Sequence, residues 1–243
     1  MRIVYSVLQK MIEFRYRKRK ELGQIFMFHQ IINSPSIALT NNMCLEKEMF
    51  EKFLKLLISH GRIKSIEHLD YFGNETDFYL TFDDVYANAY DNALCWLTDN
   101  KIPFTVFIAL DYLDKPNYIS IEQLRKLAQN QYCTIGSHTI SHPLLRFMNY
   151  EDVKNEIINS KKKLEKIIGK EIKYFAYPYG SKYACSKRVV EVAKHAGYKK
   201  AFSTFSMGIN ATYLRENQYF IPRINVDTCL VKKMEDYYEK THC

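Results

Sequence analysis

The chain has 243 residues, of which 47% are apolar, so it can build a sizeable core, and no Pro/Gly/Ser-rich stretch divides it into separate domains. The net charge of +8 would suit an anionic partner, but the basic residues are scattered outside positions 15–20, so nucleic-acid binding is not indicated. The six cysteines lie far apart without a Cys-x-x-Cys pair, which excludes a thiolate zinc cluster and a dense disulfide framework and indicates reduced thiols.

Residues 1–24 are predicted to form an amphipathic, basic helix ahead of a single main domain at residues 25–243. Its apolar stripe is too short to span a bilayer and is interrupted by Gln9 and Lys10, unlike a signal peptide, so we expect a cytoplasmic location. Two placements stay open: the helix packs on the outside of the domain, or residues 1–20 make peripheral contact with anionic lipids at the inner membrane face. The stripe consists of Ile3, Val4, Val7, Leu8, Met11 and Ile12.

Short β-type runs alternate with helical patterns through the rest of the chain. Apolar residues recur at helical spacing from Phe50 to Ile58 and from Val153 to Ile168, the latter between a predicted N-cap at Asn149 and a stop at Gly169. A third helix is predicted at 186–196. Strands are predicted at 25–31, 78–83, 104–110, 133–137, 174–177, 201–204 and 220–226.

Seven strands that alternate with helices predict a mostly parallel sheet with helices outside, and a closed or nearly closed barrel removes the edges of such a sheet. An open doubly wound sheet is the alternative, but the chain has no glycine-rich phosphate loop that would support a nucleotide. Reactive groups of such barrels lie at the C-terminal strand ends. We therefore expect one pocket to collect His29, Asp83, Asp84, His138 and Tyr179.

Two short motifs carry the chemistry of this pocket: Thr-Phe-Asp-Asp at 81–84 and Ser-His-Thr-Ile-Ser-His-Pro at 137–143. One carboxylate and two imidazoles leave a coordination position open, as catalytic zinc requires, whereas structural zinc is closed by four ligands. A turn after the strand would let Asp84 bind the metal while Asp83 takes a proton from water. His138 and His142 alone are more typical of a hydrogen-bonded loop, and the paired aspartates favour the metal site.

Together with Phe-Ala-Tyr-Pro-Tyr-Gly at 175–180, these motifs resemble the polysaccharide deacetylases of the NodB-homology type, also known as carbohydrate esterase family 4. Phe28-His29 and the stretches 196–204 and 222–226 are also similar to that family, so the resemblance spans residues 25–227. The motif style is most similar to the branch that acts on poly-N-acetylglucosamine. The resemblance implies a distorted (β/α) barrel that removes N-acetyl groups from amino sugars with a divalent metal.

The resemblance also assigns roles to individual residues. Asp83 corresponds to the general base for a metal-bound water, and Asp84, His138 and His142 to the metal ligands. The backbone N–H of Tyr179 corresponds to a donor to the oxyanion of the tetrahedral intermediate. We expect Zn²⁺, although Co²⁺, Ni²⁺, Mn²⁺ or Fe²⁺ also suits this donor set.

The sequence departs from the family pattern at two positions near the base. Val85 replaces the glycine that commonly follows the two aspartates, so we expect a narrower pocket rim. Ala176 stands where many members have an arginine that steadies the base by a charge-assisted hydrogen bond. We predict that Arg223 replaces this arginine, with a surface position as the alternative.

A third departure concerns the acid that protonates the leaving amine, because the Leu-x-His motif near the C-terminus is missing. His195 belongs to a helix end on the outer layer and is a poor candidate. Barrel closure brings the last strand beside the first, so His29 can occupy the corresponding space, as the poly-N-acetylglucosamine branch also implies. We predict His29 as the acid, the alternative being a histidine that only hydrogen-bonds in the pocket wall.

The sequence thus predicts a metal-dependent hydrolase that removes N-acetyl groups from the amino sugars of a polysaccharide or glycan precursor. Its expected partner is an N-acetylated glycan or glycolipid. Two alternatives stay open on the same barrel. One is a sugar-binding or assembly protein with weakened catalysis, which Val85 and Ala176 favour; the other is a deacylase of a lipid-linked amino sugar at the membrane surface.

Overall fold

A curled parallel sheet organises the fold in a computed structural model, which describes residues 23–33, 43–72 and 75–241. The strands are β1 (Gly23–Phe28), β2 (Gln30–Ile32), β3 (Cys44–Glu46), β4 (Arg62–Ile63), β5 (Asp77–Asp83), β6 (Phe104–Ile108), β7 (Cys133–Ser137), β8 (Tyr174–Ala176), β9 (Lys200–Phe202) and β10 (Ile224–Asn225). The main sheet has the order β10-β1-β5-β6-β7-β8-β9 with parallel pairings throughout. These are the seven predicted strands, and their half-barrel with helices outside confirms the predicted fold class.

Three short strands lie outside the main path of the sheet. β4 pairs with β5 beside the main path, and β2 and β3 form a separate two-stranded sheet. The predicted N-terminal helix lies outside the described residues except for Gly23 and Gln24, which belong to β1. None of the helices in the described ranges is long and apolar enough to cross a membrane. No disulfide joins the five cysteines of those ranges.

The segment before β10 joins the last strand of the barrel to the first. Ile221 forms a parallel bridge with Phe202 of β9, and three residues later Ile224 pairs with Phe26 of β1. Arg223 lies between these two anchor points. The C-terminal segment thus brings a side chain from the seventh predicted strand next to β1 and β5.

Helices cover the outside of the sheet. They are α1 (Lys47–His60), α2 (Ala87–Ala89, Tyr90–Leu94 and Cys95–Asp99), α3 (Ile121–Gln129), α4 (Tyr150–Lys154, Asn155–Asn159 and Ser160–Ile168), α5 (Lys187–His195), α6 (Ala211–Glu216) and α7 (Thr228–Thr241). The middle pieces of α2 and α4 are π-helical turns, and short 3₁₀ turns occur at Ile66–His68, Leu110–Tyr112 and Leu145–Phe147. As predicted, Asn149 caps α4 by accepting a hydrogen bond from the Asp152 N–H, and left-handed Gly169 ends it.

One residue of the predicted apolar stripe on α1 does not face the core. Phe50, Phe53 and Leu57 are buried, but Ile58 is 55% exposed. At 3.6 residues per turn Ile58 lies about 80° around the helix from Phe50, which is the edge of the buried face. The stripe that packs on the sheet is therefore narrower than the sequence pattern indicates.

Side chains alternate between the barrel interior and the layer under the helices. On β5, Phe78, Leu80 and Phe82 pack in the outer core, whereas Tyr79 belongs to the inner cluster with residues of β6 and β9. Because successive strand residues point to opposite faces, Asp83 shares the inner face with Tyr79. This alternation places a carboxylate inside the mouth of the barrel.

Candidate active site

The turn after β5 presents two adjacent carboxylates to the mouth of the barrel. Asp84 and Val85 both have a left-handed backbone, with φ of 61° and 50°, and the Val85 N–H donates to the Asp83 carbonyl at 2.6 Å. This turn breaks the strand alternation, as the sequence predicts, so both carboxylates reach the site. Val85 is fully buried in the outer core. The expectation that Val85 narrows the pocket rim is therefore wrong, because its side chain points away from the pocket.

Arg223 holds the Asp83 carboxylate with a bidentate ion pair. Arg223 Nη1 lies 2.6 Å from Asp83 Oδ1, and Arg223 Nη2 lies 2.7 Å from Asp83 Oδ2. Arg223 also donates to the Ser203 carbonyl at 3.0 Å and to the Thr81 hydroxyl at 3.2 Å. Both ends of the pair are buried, so solvent does not screen it. The structure thus places Arg223 against Asp83 in the interior and not at the surface.

The pair controls the charge of Asp83. Burial alone would raise the pKa of this carboxyl, but the Arg223 guanidinium, assisted by the nearby His138 ring, holds it well below its usual range. Asp83 is therefore a carboxylate at every pH of physiological interest.

The loop after β7 carries the two predicted metal-binding histidines. His138 Nδ1 lies 2.7 Å from the Ala176 carbonyl, and because a carbonyl only accepts, the proton is on Nδ1 and Nε2 is free. His138 Nε2 lies 3.8 Å and His142 Nε2 lies 3.6 Å from Asp84 Oδ1. His142 has a left-handed backbone, with φ of 56°. The spacing of four thus arises from a tight loop and not from a helical turn.

Asp84, His138 and His142 fit a divalent cation. One ligand atom from each lies within 4.8 Å of the others, and Asp84 Oδ1 is buried without a hydrogen-bond partner in the described structure. Burial and the neighbouring charge of Asp83 raise the pKa of Asp84 to about 7. Burial lowers the pKa of His138 to about 3 and also that of His142. Two neutral imidazoles and one carboxylate are a donor set that suits a catalytic metal.

The Tyr179 ring lies near the His142 ring, with the ring centroids 5.0 Å apart. Its backbone is left-handed, with φ of 60°, and no residue in the described ranges accepts a hydrogen bond from its N–H. The next residue, Gly180, packs so closely on the chain after β9 that a Cβ would lie 2.6 Å from the Thr204 backbone nitrogen. Glycine at 180 is therefore required for the turn that carries the predicted oxyanion donor.

His29 follows the C-terminal end of β1, beside the same pocket. Its Nδ1 is buried and has no hydrogen-bond partner in the described part of the chain. Burial lowers the pKa of His29 to about 4, although the Asp83 carboxylate opposes this shift. The structure thus brings His29 into the electrostatic reach of Asp83 and His142, and leaves its ring neutral at pH 7. His195 lies on the outer layer at the end of α5, where its Nδ1 lies 2.7 Å from the Glu191 carbonyl.

Tyrosines form one wall of the pocket. The Tyr118 ring stacks between Tyr86 and Tyr112, with centroid distances of 4.6 and 4.5 Å, and Tyr112 approaches the His142 ring at 5.9 Å. The nearby Asp84 carboxylate contributes to the raised pKa values of Tyr86 and Tyr112, for which burial is the larger cause. No local sequence signal marks Tyr118, because its place depends on the fold of the loop after β6.

Comparisons with known proteins agree with this geometry. A family model described as polysaccharide deacetylase matches residues 73–201, more than half of the chain. A poly-beta-1,6-N-acetyl-D-glucosamine N-deacetylase of Staphylococcus aureus is 27% identical over 222 residues, which cover 82% of this chain and 74% of the relative.

Two solved structures share the fold. The deacetylase PplD of Streptococcus pyogenes, solved in complex with acetate, has a TM-score of 0.73 at 21% identity, covering 84% of this chain and 91% of its own. IcaB of Ammonifex degensii has a TM-score of 0.73 at 17% identity, covering 90% of this chain and 97% of its own.

Proposed function

The chain belongs to the polysaccharide deacetylase family, and on that premise we propose that it removes N-acetyl groups from the amino sugars of a glycan by metal-assisted hydrolysis. One observation carries the proposal: Asp84, His138 and His142 converge on a common centre beside an Asp83 carboxylate that Arg223 holds in place. Such a constellation serves hydrolysis, because it combines a cation site with a base that remains ionised.

The donor set defines what the cation would contribute. A divalent cation held by these three side chains would lower the pKa of a water molecule and polarise the acetyl carbonyl. Zn²⁺ is the first choice for one carboxylate and two imidazoles, and Co²⁺, Ni²⁺, Mn²⁺ or Fe²⁺ can occupy the same donors.

Asp83 is assigned as the general base. Each carboxylate oxygen has two lone pairs, so the bidentate Arg223 pair leaves one on each oxygen to accept a proton from the attacking water. Asp83 Oδ2 lies 3.9 Å from His138 Nε2, which places the base next to a metal ligand. The water oxygen then bonds to the acetyl carbon, and the carbonyl oxygen becomes an oxyanion.

Tyr179 is assigned to stabilise the oxyanion, and His29 is assigned to protonate the leaving nitrogen. The unpartnered Tyr179 N–H donates to the oxyanion, in a turn that Pro178 stiffens. The C–N bond then breaks, acetate leaves, and His29 gives a proton to the sugar nitrogen. Because burial holds the pKa of His29 near 4, the ring must gain this proton during the reaction. Its source is the proton that Asp83 took from the attacking water, and Asp83 returns to its ionised form.

The substrate proposed is an N-acetylated amino-sugar polymer, as for the staphylococcal relative. Tyr86 and Tyr112, which enclose the Tyr118 ring, lie beside the ligand set, and aromatic rings in such a place can stack on a sugar ring. Cytoplasmic location, membrane contact through residues 1–20 and action on a lipid-linked sugar stay predictions, because that segment lies outside the described residues.

Two observations argue against the alternative of a sugar-binding or assembly protein with weakened catalysis. It depended on Val85 and Ala176, yet the turn at Val85 has the left-handed backbone that glycine favours. The Ala176 carbonyl orients His138, and Arg223 supplies the guanidinium that an arginine at position 176 would bring.

The experiment is acetate release from N-acetylglucosamine oligomers of β-1,6 and β-1,4 linkage by the Zn²⁺-loaded protein. We expect Asp83→Asn to lower kcat by about 10²–10⁴-fold, the usual contribution of a general base. Asp99→Asn, an exposed change at the end of α2, is the matched control and should match the wild type. Equal acetate release by Asp83→Asn and the wild type would refute the assignment of the base.

A further inference from the structure

The π-helical turn of α4, Asn155–Asn159, lies directly behind the loop that carries His138 and His142. We propose that Glu156 on this turn is a positioning residue, which fixes the histidine loop in the geometry that binds the cation. This inference rests on the proposed function, because it assumes that the two histidines are ligands.

Glu156 makes three hydrogen bonds to the middle of the loop. Its Oε2 accepts from the backbone N–H groups of Ile140 at 2.8 Å and Ser141 at 3.0 Å. Its Oε1 accepts from the Ser141 hydroxyl at 2.8 Å. Glu156 is 6% exposed, so these bonds form away from water and are strengthened by the charge of the carboxylate. Both residues that it holds lie between the two histidines.

A second contact from the same part of α4 holds the start of the loop. The Ser137 hydroxyl, one residue before His138, donates to Ser160 Oγ at 2.8 Å. The Ile157 carbonyl accepts from Ser160 Oγ at 2.9 Å and from the Tyr198 hydroxyl at 3.0 Å. A π-helical turn changes the bonding of helix carbonyls in this way, and such turns are frequent at functional sites. Helix α4 therefore holds the chain on both sides of His138, through Ser160 before it and Glu156 after it.

The loop needs this support because its backbone is strained. Thr139 and His142 have φ of 72° and 56°, a region that costs about 1–2 kcal/mol per L-residue. The opposite side of the loop is held by its carbonyls: Thr139 accepts from the Leu110 N–H and Ile140 from the Asp111 N–H. Without Glu156, the Ile140 and Ser141 N–H groups would lose their partner, and the loop would relax to a conformation with less strain.

Two substitutions at position 156 separate positioning from other roles. Glu156→Gln keeps an oxygen for the Ile140 and Ser141 N–H groups, and its amide can donate to the Ser141 hydroxyl, so the loop geometry is retained. Glu156→Leu has similar volume but accepts nothing. Glu165→Gln is the matched control, because Glu165 lies on the same helix and accepts from the Ile172 N–H at 3.0 Å, on a connection that carries none of the three ligands.

The test is Co²⁺ titration by visible absorption and Zn²⁺ affinity by competition with a chelator, on the full chain. We expect Glu156→Leu to weaken Zn²⁺ binding by about 10–100-fold, as for other groups that orient metal ligands, and to alter the Co²⁺ spectrum. Glu156→Gln and Glu165→Gln should stay within about threefold of the wild type.

The outcomes separate the two proposals. A wild-type chain that binds neither ion would refute the metal site itself. Wild-type affinity in folded Glu156→Leu would overturn only the positioning role, and so would equal losses in the Leu and Gln variants, which would assign the effect to charge. If Glu156→Leu does not fold, Glu156→Asp shortens the side chain but keeps its charge, and unchanged affinity there would overturn the proposal.

Discussion

Arg223 and Asp83 are 140 positions apart in the chain and form a fully buried bidentate ion pair at 2.6 and 2.7 Å. The guanidinium also lies over the Phe107 ring, with its central carbon 5.2 Å from the centroid. The guanidinium comes from the segment before β10, whereas the carboxylate lies at the end of β5.

Removing the guanidinium should destabilise the protein, because it leaves Asp83 buried without a countercharge. We expect Arg223→Met to lower the free energy of unfolding by about 3–5 kcal/mol, measured by urea denaturation of the metal-free protein. The double variant Arg223→Met/Asp83→Asn should recover part of this loss, since the uncompensated charge is gone. A double variant no more stable than Arg223→Met would contradict a role of the ion pair.

Metal affinity should depend on pH through Asp84. Its pKa is raised to about 7, so below pH 7 the cation must displace a proton, whereas above pH 7 the carboxylate is already ionised. The pKa values of His138 and His142 are lowered, so these rings are neutral at pH 7 and add no protons there. Zn²⁺ affinity, measured by calorimetry, should fall about fivefold between pH 7 and 6 and level off above pH 7.5. A flat profile between pH 6 and 7 would contradict the raised pKa.

His29 is the candidate for the acid that protonates the leaving amine, and His195 provides a matched control. We expect His29→Ala to lower kcat by about 10²-fold or more, with little change in KM, because an acid acts in the transition state. His195→Ala should have no effect, since that ring caps the outer end of α5. A rise in KM at unchanged kcat for His29→Ala would instead indicate a histidine that only lines the pocket wall.

Alanine substitutions at Gly180 and Gly169 distinguish the cost of a left-handed backbone from the cost of a steric clash. Both are left-handed, with φ of 44° and 70°, but a Cβ at 180 would meet the Thr204 backbone whereas a Cβ at 169 meets nothing within 4 Å. Gly169→Ala should therefore cost about 1 kcal/mol of stability and leave activity intact. Gly180→Ala should cost about 1–3 kcal/mol more and lower kcat, because it displaces the Tyr179 N–H. Equal effects of the two changes in thermal denaturation and in acetate release would show that the turn tolerates the clash.

The sequence predicted the barrel well because its signals are local. Alternating strands and helices, the Asn149 cap and the Gly169 stop depend on neighbours within a few residues, and all appear in the structure. The pairing of the first and last strands followed from the rule that a barrel closes on itself.

The parts that the sequence missed depend on contacts between distant segments. Val85 was expected at the rim, but its left-handed backbone turns the side chain into the core. Glu156 looks like an ordinary helix residue in sequence, since nothing local shows that a π-helical turn aims it at a loop 16 positions earlier. Tyr118 likewise reaches the pocket only because its loop folds back on Tyr86.

The five residues from Ile221 to Asn225 join β9 to β1 and carry Arg223 between the two joints. The same segment, in the final tenth of the chain, therefore closes the barrel and neutralises the charge of Asp83. A nascent polypeptide halted ahead of Gln218 would have its aspartates and histidines already synthesised, yet Asp83 would lack its counterion. One residue inserted or deleted between Ile221 and Ile224 would rotate Arg223 to the opposite face, and Asp83 would again lack its counterion.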